Sequence, residues 1–185
     1  TEVLYLDYIR PDLQEVFDRK GAGLDENRPE AVAKRRKTGR RTARENVADL
    51  CDEGTFVEYG SVVLAGQRRR RSFEDLIKNT TGDGMVAGLG QINGSLFPEE
   101  RSRAMIMSYD YMVLAGTQGM KNHDKKDRLF EVAEQFQLPV VLFAEGGGGR
   151  PGDTDGSGVA GLDCLAFTYF ARLSGLVPTV GTVSY

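Results

Sequence analysis

The chain has 185 residues, the usual size of one domain and enough to bury one hydrophobic core. Hydrophobic residues make up 40% of it and charged residues 28%, which excludes a disordered or fibrous chain. The formal net charge of -3 means that a polyanionic partner would have to be bound by local patches. Cys51 and Cys164 lie far apart, and no apolar stretch is long enough to cross a membrane. We therefore predict a soluble cytoplasmic protein with two buried cysteines, no disulfide bond and no zinc site.

The first fifty residues are rich in charge and predict two helices, Pro11 to Lys20 and Pro29 to Asp52. Proline is tolerated at the start of a helix, which fits both beginnings. Seven cations lie on the second helix, too many for one face. They are Lys34, Arg35, Arg36, Lys37, Arg40, Arg41 and Arg44. Residues 1–30 are interpreted as a helical extension or linker, and residues 31–185 as one domain.

The middle of the chain predicts a strand, an exposed basic loop and a hairpin. The loosely alternating residues Thr55 to Val63 indicate the strand, and Gln67 to Ser72 form the basic loop. A glycine-containing strand, Met85 to Ile92, is followed by Asn93-Gly94, a strong turn signal. The apolar run Ala104 to Tyr109 is its expected partner, so the polar residues between them form an exposed insertion in the hairpin.

The remaining elements predict a βαβ unit and an α/β fold. Asn122 to Phe136 has the apolar spacing of a helix, and Leu138 to Ala144 reads as a strand buried on both faces. The glycine run Gly146 to Gly149 follows that strand, at the edge where open α/β sheets bind ligands. Its spacing excludes a dinucleotide fingerprint and a P-loop. Val159 to Leu173 is the next predicted helix, and Val177 to Val183 the next strand.

Three motifs follow one another along the chain. The first is Arg44-Glu45-Asn46-Val47, and the second is Asp83-Gly84-Met85-Val86. The third is Asp110-Tyr111-Met112-Val113 with Gly116-Thr117-Gln118-Gly119, six residues before Lys125. In this order they resemble the carboxyltransferase subunits and domains of biotin-dependent acyl-CoA carboxylases, such as propionyl-CoA and acetyl-CoA carboxylases, in the crotonase superfamily. The resemblance implies an α/β fold of the crotonase type, a spiral of ββα turns. The chain would hold the N-terminal part of a carboxyltransferase N-domain, truncated at its C-terminal end.

The glycine run departs from the family's Asp-Ser-Gly-Gly-Ala-Arg pattern. Placing Arg150 on the family arginine aligns Gly147 and Gly148 with the family's glycine pair. The resemblance then implies transfer of CO2 from carboxybiotin to the α-carbon of an acyl-CoA, with the N–H groups of these two glycines stabilising the enolate. Substrate binding is assigned to Gly146, Gly149, Arg150, Gly116, Gly119, Lys125, Arg69 and Arg70. No metal is expected.

The resemblance also implies partners. These are the acyl-CoA, a biotin carboxyl carrier and a biotin carboxylase, fused or separate, within an ATP-binding holoenzyme that forms a homo-oligomer. The chain alone is expected to be inactive, because a second domain would supply the biotin pocket. Neither a nucleic acid nor a membrane is an expected partner.

Two other functions stay open on the sequence. A crotonase-type hydratase or isomerase would need a glutamate base, for which Glu145 is the candidate. The cations from Lys34 to Arg44 and from Arg68 to Arg71 would suit a nucleic-acid or acidic-partner binding module. Cations at the start of the helix after Gly119 either meet CoA phosphates or form a solvated face. They are Lys121, Lys125, Lys126 and Arg128. The single histidine, His123, is interpreted as exposed and without a role.

Overall fold

The computed structural model describes residues 9–156 and 165–183, which form a five-stranded mixed sheet with helices on both faces. The strands are β1 (Val57–Glu58), β2 (Met85–Gln91), β3 (Arg103–Tyr109), β4 (Val140–Ala144) and β5 (Thr179–Val183). Their spatial order is the chain order. The first three strands are antiparallel and the last three are parallel. This mixed sheet confirms the predicted α/β class.

Helices precede the sheet and connect its parallel strands. The described α-helices are α1 (Pro11–Gly21), α2 (Pro29–Arg36), α3 (Ala43–Leu50), α4 (Phe73–Asn79), α5 (Glu99–Ser102), α6 (Met120–Phe136) and α7 (Ala166–Leu173). Helix α6 leads from β3 to β4 and helix α7 from β4 to β5, so each connection forms a βαβ unit. The parallel strands therefore present their carboxyl ends at one edge of the sheet.

The sheet separates two hydrophobic cores. Met105 and Met107 of β3 face α6, where they pack with Leu129 and Phe130. Ile106 points to the opposite face and packs with residues of α3. This alternation follows from the two-residue period of a strand, and it makes β3 buried on both sides.

The long helix predicted from Pro29 to Asp52 is wrong, because two shorter helices occupy this range. Gly39 interrupts the helical backbone with φ +70°. Thr42 then begins α3, accepting a hydrogen bond from the Glu45 N–H while the Glu45 carboxylate accepts one from the Thr42 N–H. In the sequence, the charge excess of this range was a stronger signal than the Thr42–Glu45 capping pattern inside it.

The other local predictions differ in accuracy. The hairpin is confirmed, with Met85 opposite Tyr109 and a short helix, α5, in the insertion. The strand predicted from Thr55 to Val63 shrinks to β1, and α4 was not predicted at all. A Ser72 side chain that accepts from the Asp75 N–H begins α4. The predicted start of the last helix, Val159, lies outside the described residues.

The described residues include neither a membrane-spanning helix nor a cluster of metal-binding side chains. None of the helices within 9–156 and 165–183 is long and apolar enough to span a bilayer. No group of three His, Cys, Asp or Glu side chains in the same ranges could hold a metal ion. Cys51 is half-buried rather than buried, and burial together with Asp52 raises the pKa of its thiol to about 11. Cys164 lies outside the described part of the chain.

Candidate active site

The four glycines Gly146–Gly149, here called the glycine loop, lie at the carboxyl end of β4 and are exposed. They run beside the segment that precedes α6. The Gln118 N–H donates to the Gly148 carbonyl oxygen over 2.9 Å, and the Arg150 N–H donates to the Gln118 carbonyl oxygen over 2.7 Å. The third sequence motif and the glycine run therefore meet at one edge of the sheet, where α/β sheets bind ligands.

Three predicted binding glycines are needed for close contacts within the chain. A Cβ on Gly116 would overlap the Glu145 carbonyl oxygen, and a Cβ on Gly146 would overlap the Gly116 carbonyl oxygen. A Cβ on Gly119 would overlap the Arg150 guanidinium. These positions bring two backbone segments and a side chain into contact, which only glycine permits.

The two predicted catalytic glycines differ in their hydrogen bonding. The Gly147 N–H donates to the Ala115 carbonyl oxygen over a long 3.2 Å. Gly148 has φ +81°, and no atom lies within 4 Å of the place where its Cβ would be. Its N–H has no hydrogen-bond partner among residues 9–156 and 165–183. Gly148 is therefore an open backbone donor beside free space.

A groove of about 530 Å³ adjoins the glycine loop. Its lining includes Gly146, Gly147, Ala115, Tyr111 and Thr38. The groove would admit a ligand to the loop, in the position where α/β proteins bind ligands.

Arg150, predicted to bind substrate, is buried and bound within the chain. Its guanidinium forms ion pairs with Asp83 and with Asp153, at 2.8 Å from Nε to Asp153 Oδ1, and donates to the Thr117 carbonyl oxygen over 3.0 Å. Asp83 in turn accepts from the Asn122 N–H over 2.8 Å at the start of α6. Arg150 therefore fixes the end of the glycine loop to α6, and this arrangement leaves it no exposed face for a substrate.

The basic loop Gln67 to Ser72 is docked on the segment after the glycine loop. The N–H groups of Thr154 and Asp155 donate to the Gly66 carbonyl oxygen over 2.7 and 3.0 Å. Arg70 donates to the Gly152 carbonyl oxygen over 2.9 Å. The loop that carries the predicted substrate-binding residues Arg69 and Arg70 is thus joined to the predicted catalytic loop.

A second groove, of about 560 Å³, lies along the basic loop. Four cationic side chains line it. They are Arg19, Arg68, Arg69 and Lys121. The acidic Asp155 also lines it. Arg69 is exposed, whereas Arg70 is engaged with Gly152 and does not line the groove. Of the two predicted arginines, Arg69 is the one available to an anionic ligand.

Lys125 does not lie where the phosphate hypothesis requires it. It is 3% exposed, and its ammonium donates to the carbonyl oxygens of Met85, over 2.5 Å, and Gly60, over 3.3 Å. Burial lowers the pKa of Lys125 to about 8, although Glu58 and Asp83 raise it. The alternative of a solvated face is also wrong for this residue. Lys125 holds the segment before the basic loop against β2.

Two neighbours of Lys125 are buried as well. Lys126 contacts the Tyr109 hydroxyl over 3.2 Å and the Gln118 side-chain oxygen. His123 is 6% exposed, so its interpretation as an exposed residue is wrong. Neither of its ring nitrogens has a hydrogen-bond partner in the described ranges. Burial and the nearby Lys126 lower the pKa of His123 to about 4, so the imidazole is neutral near pH 7.

Glu145, the candidate base, is held by two arginines. Arg35 donates to both carboxylate oxygens, and Arg40 donates to Oε1 over 2.9 Å. Burial favours a higher pKa, but these hydrogen bonds outweigh it and hold the pKa of Glu145 below its ordinary value. A carboxylate in this setting is a weak base and serves to anchor the strand end to the α2–α3 connection.

The roles of Asp83 and Asp153 were missed at the sequence level. Asp83 stood in a motif but was given no function, and Asp153 follows the glycine run as one of two closely spaced aspartates. Their buried pairing with Arg150 joins parts of the chain up to 67 residues apart. In the sequence, this pairing could have been suggested only by Arg150 itself and by the acidic residues close to it.

The glycine loop lies at the end of a parallel strand, in a mixed sheet built from a hairpin and βαβ units, an arrangement consistent with the crotonase-like fold. The family model of the carboxyl transferase domain matches residues 34–184. The chain therefore belongs to the carboxyl transferase domain family.

Relatives agree with this family. The chain is 31% identical over 176 residues to the propionyl-CoA carboxylase beta chain of Cereibacter sphaeroides and 28% identical over 171 residues to that of Saccharopolyspora erythraea. These matches cover 92% of this chain but only 31% and 29% of the relatives. A solved single-chain, multi-domain long-chain acyl-CoA carboxylase is 58% identical, with a TM-score of 0.88 over 95% of this chain and 17% of that one. The transcarboxylase 12S hexamer, with hydrolysed methylmalonyl-CoA bound, is 26% identical over 92% of this chain and 31% of that one, with a TM-score of 0.69.

Proposed function

We propose that this chain forms the acyl-CoA side of a biotin-dependent carboxyltransferase, which transfers CO2 to the α-carbon of an acyl-CoA. The observation that carries the proposal is the open N–H of Gly148 in a glycine loop at the carboxyl end of β4. An enolate oxygen formed from the thioester needs such a fixed donor. The groove beside Gly147 gives the thioester access.

The chemistry needs little from side chains. Carboxybiotin, when bound by the whole enzyme, would supply the CO2 and the base for the α-proton. Gly148 donates to the enolate oxygen, and Gly147 supplies the second donor by turning its N–H away from Ala115. One such donor is worth about 3 kcal/mol of barrier. The enolate carbon then attacks the CO2, which gives the carboxylated acyl-CoA.

The cationic groove is proposed to bind the phosphates of the coenzyme A nucleotide. Arg68, Arg69 and Lys121 on its walls can form charge-assisted hydrogen bonds with phosphate oxygens. Because this groove is built on the loop that docks after the glycine loop, the two ends of one substrate can be held by connected elements.

The parent enzyme is proposed to act on long-chain acyl-CoA, because the 58% identical neighbour is a long-chain acyl-CoA carboxylase. Residues 31–185 would form the N-terminal part of its carboxyltransferase domain, after a helical extension at 1–30. Biotin carboxylase and a biotin carboxyl carrier are the proposed partners, in an ATP-binding cytoplasmic assembly. The hexameric core of transcarboxylase 12S supports an oligomer. The 185-residue chain alone is expected to be inactive.

The contacts of the charged residues argue against the two alternative functions, a hydratase or isomerase and a nucleic-acid binding module. A hydratase would need Glu145 as a base, and that carboxylate is held by Arg35 and Arg40. A nucleic-acid module would need free cations, yet much of the basic α2–α3 region is paired internally. Such pairs include Arg36 with Glu45, Arg41 with Asp49 and Arg44 with Glu58.

Isothermal titration tests the binding half of the proposal. Coenzyme A, a short acyl-CoA and a long acyl-CoA are titrated into the chain and into an Arg69→Ala variant, with Arg172→Ala as an exposed control on α7. We expect wild type and control to bind both acyl-CoAs, and the long one more tightly, while Arg69→Ala binds all three ligands about tenfold more weakly. A folded wild-type chain that binds no acyl-CoA would leave the fold and family but refute the function.

A further inference from the structure

Asp153 connects the two ends of the proposed substrate site. Its fully buried side chain accepts from Arg150 Nε over 2.8 Å and from the Met120 N–H over 2.8 Å. It also accepts from Gln67 Nε2 over 3.1 Å. Arg150 ends the glycine loop, Met120 begins α6, and Gln67 begins the basic loop. One carboxylate therefore joins the catalytic loop, the helix and the phosphate-binding loop.

The backbone on both sides of Asp153 strengthens this junction. The Gly66 carbonyl oxygen accepts from Thr154 and Asp155, and the Gly152 carbonyl oxygen accepts from Arg70. A displacement of residues 152–155 would therefore displace the basic loop as well. Hydrogen bonds from Arg150 and the Met120 N–H hold the pKa of Asp153 below its ordinary value, although its burial raises it. The carboxylate stays charged at neutral pH and keeps its hydrogen bonds to all three partners.

We propose that Asp153 is a positioning residue that fixes the distance between the cationic groove and the Gly148 N–H. This inference rests on the proposed carboxyltransferase function. A coenzyme A thioester held by its phosphates would then reach the glycine loop with its carbonyl oxygen at the donor. Enzymes use binding energy from remote parts of a substrate in this way, to place the reacting group.

A Gln67 variant distinguishes a positioning role of Asp153 from a role in the stability of the fold. Its side-chain amide makes a hydrogen bond to Asp153 and to no other described side chain. Gln67→Leu removes the side-chain hydrogen bond between Asp153 and the basic loop and leaves the Arg150 and Met120 contacts of Asp153 in place. Asp153→Asn removes the charge that all three partners share. Glu134→Gln, on the surface of α6, removes an ion pair with Arg172 and serves as the control.

The test compares two substrates on the intact carboxylase that carries this sequence. One is a long-chain acyl-CoA, and the other is the matching acyl-pantetheine, which lacks the nucleotide and its phosphates. In the wild type, kcat for the acyl-CoA should exceed kcat for the acyl-pantetheine. In Asp153→Asn and in Gln67→Leu this ratio should fall by about tenfold, the effect of one charge-assisted hydrogen bond. Glu134→Gln should keep the wild-type ratio.

The outcomes separate the hypotheses. A variant that is merely destabilised loses kcat equally for both substrates, and that result for Gln67→Leu would overturn the inference. A wild type that turns over both substrates with equal kcat would overturn it too. A wild type that carboxylates no acyl-CoA would refute the proposed function itself. If Asp153→Asn does not fold, Gln67→Leu alone decides.

Discussion

Replacing Arg150 by Met tests whether this arginine holds the fold or binds the substrate. The side chains of Asp83 and Asp153 are 0% exposed, and Arg150 forms ion pairs with both. Removing one partner of a buried ion pair costs about 3–5 kcal/mol, because it leaves an uncompensated charge. At about 2–4 °C per kcal/mol for a chain of this size, the melting temperature should fall by roughly 6–20 °C.

The loss of stability in Arg150→Met should be larger at high pH than at low pH. Burial already raises the pKa of Asp83 to about 6 while Arg150 lowers it, so the variant should raise this pKa further. A group whose pKa is raised on folding contributes stability at low pH and loses it as the pH rises through the folded pKa. Arg150→Met should therefore be closer to the wild type at pH 5 than at pH 8.

Chemical unfolding in urea at the two pH values measures this effect. Arg172→Met removes an exposed arginine paired with Glu134 and should cost less than about 1 kcal/mol at both. An Arg150→Met variant that unfolds within about 1 kcal/mol of the wild type at pH 8, yet loses acyl-CoA affinity, would refute the structural role and restore the substrate-binding hypothesis.

Two further predictions concern α6. Lys125→Met should leave coenzyme A affinity in titration calorimetry unchanged, because its ammonium is buried against carbonyl oxygens, whereas Lys121→Met in the cationic groove should weaken it several-fold. Equal losses would show that Lys125 does reach the phosphates. His123 has a pKa of about 4 in the folded chain, against an ordinary value of 6.5. Between these two pH values the unfolded chain binds a proton on His123 that the folded chain does not. The free energy of unfolding should therefore decrease as the pH drops from 6.5 to 4. His123→Leu should unfold with a smaller loss over that window in thermal melts, and an unchanged slope would contradict the buried neutral imidazole.

Periodicity predicted much of the sheet and its connections. The apolar runs that became β2, β3 and β4 and the spacing of α6 are local patterns, which a sequence displays directly. The split of the long N-terminal helix depended on Gly39 and on the Thr42 capping box. Both features were visible in the sequence, but the continuous run of charged residues was the stronger signal and indicated one long helix.

The site was predicted less completely, because burial is not local. The position of the glycine loop followed from chain order, but Lys125 was assigned to CoA phosphates and Arg150 to substrate binding from their charge and their match to family positions. Lys125 and Arg150 instead satisfy buried acceptors. Their acceptors include the Met85 carbonyl oxygen and the Asp83 carboxylate, which lie some 40 and 67 residues away. No sequence pattern shows which cations are folded inward.

The most direct test of the central claim compares Gly148 with Gly175 in the intact carboxylase. Both have positive φ, +81° and +83°, and neither has an atom within 4 Å of its would-be Cβ, so valine brings the same backbone strain at each. Gly175 lies in the turn before β5, away from the glycine loop. Gly148→Val keeps the N–H but places a branched side chain in the open space beside it, which blocks the approach of the enolate oxygen. We predict that it lowers kcat for acyl-CoA carboxylation towards the about 10²–10³-fold loss that removal of one such donor causes, while Gly175→Val stays within a few-fold of the wild type. Equal kcat values for the two variants would contradict enolate stabilisation by the glycine loop.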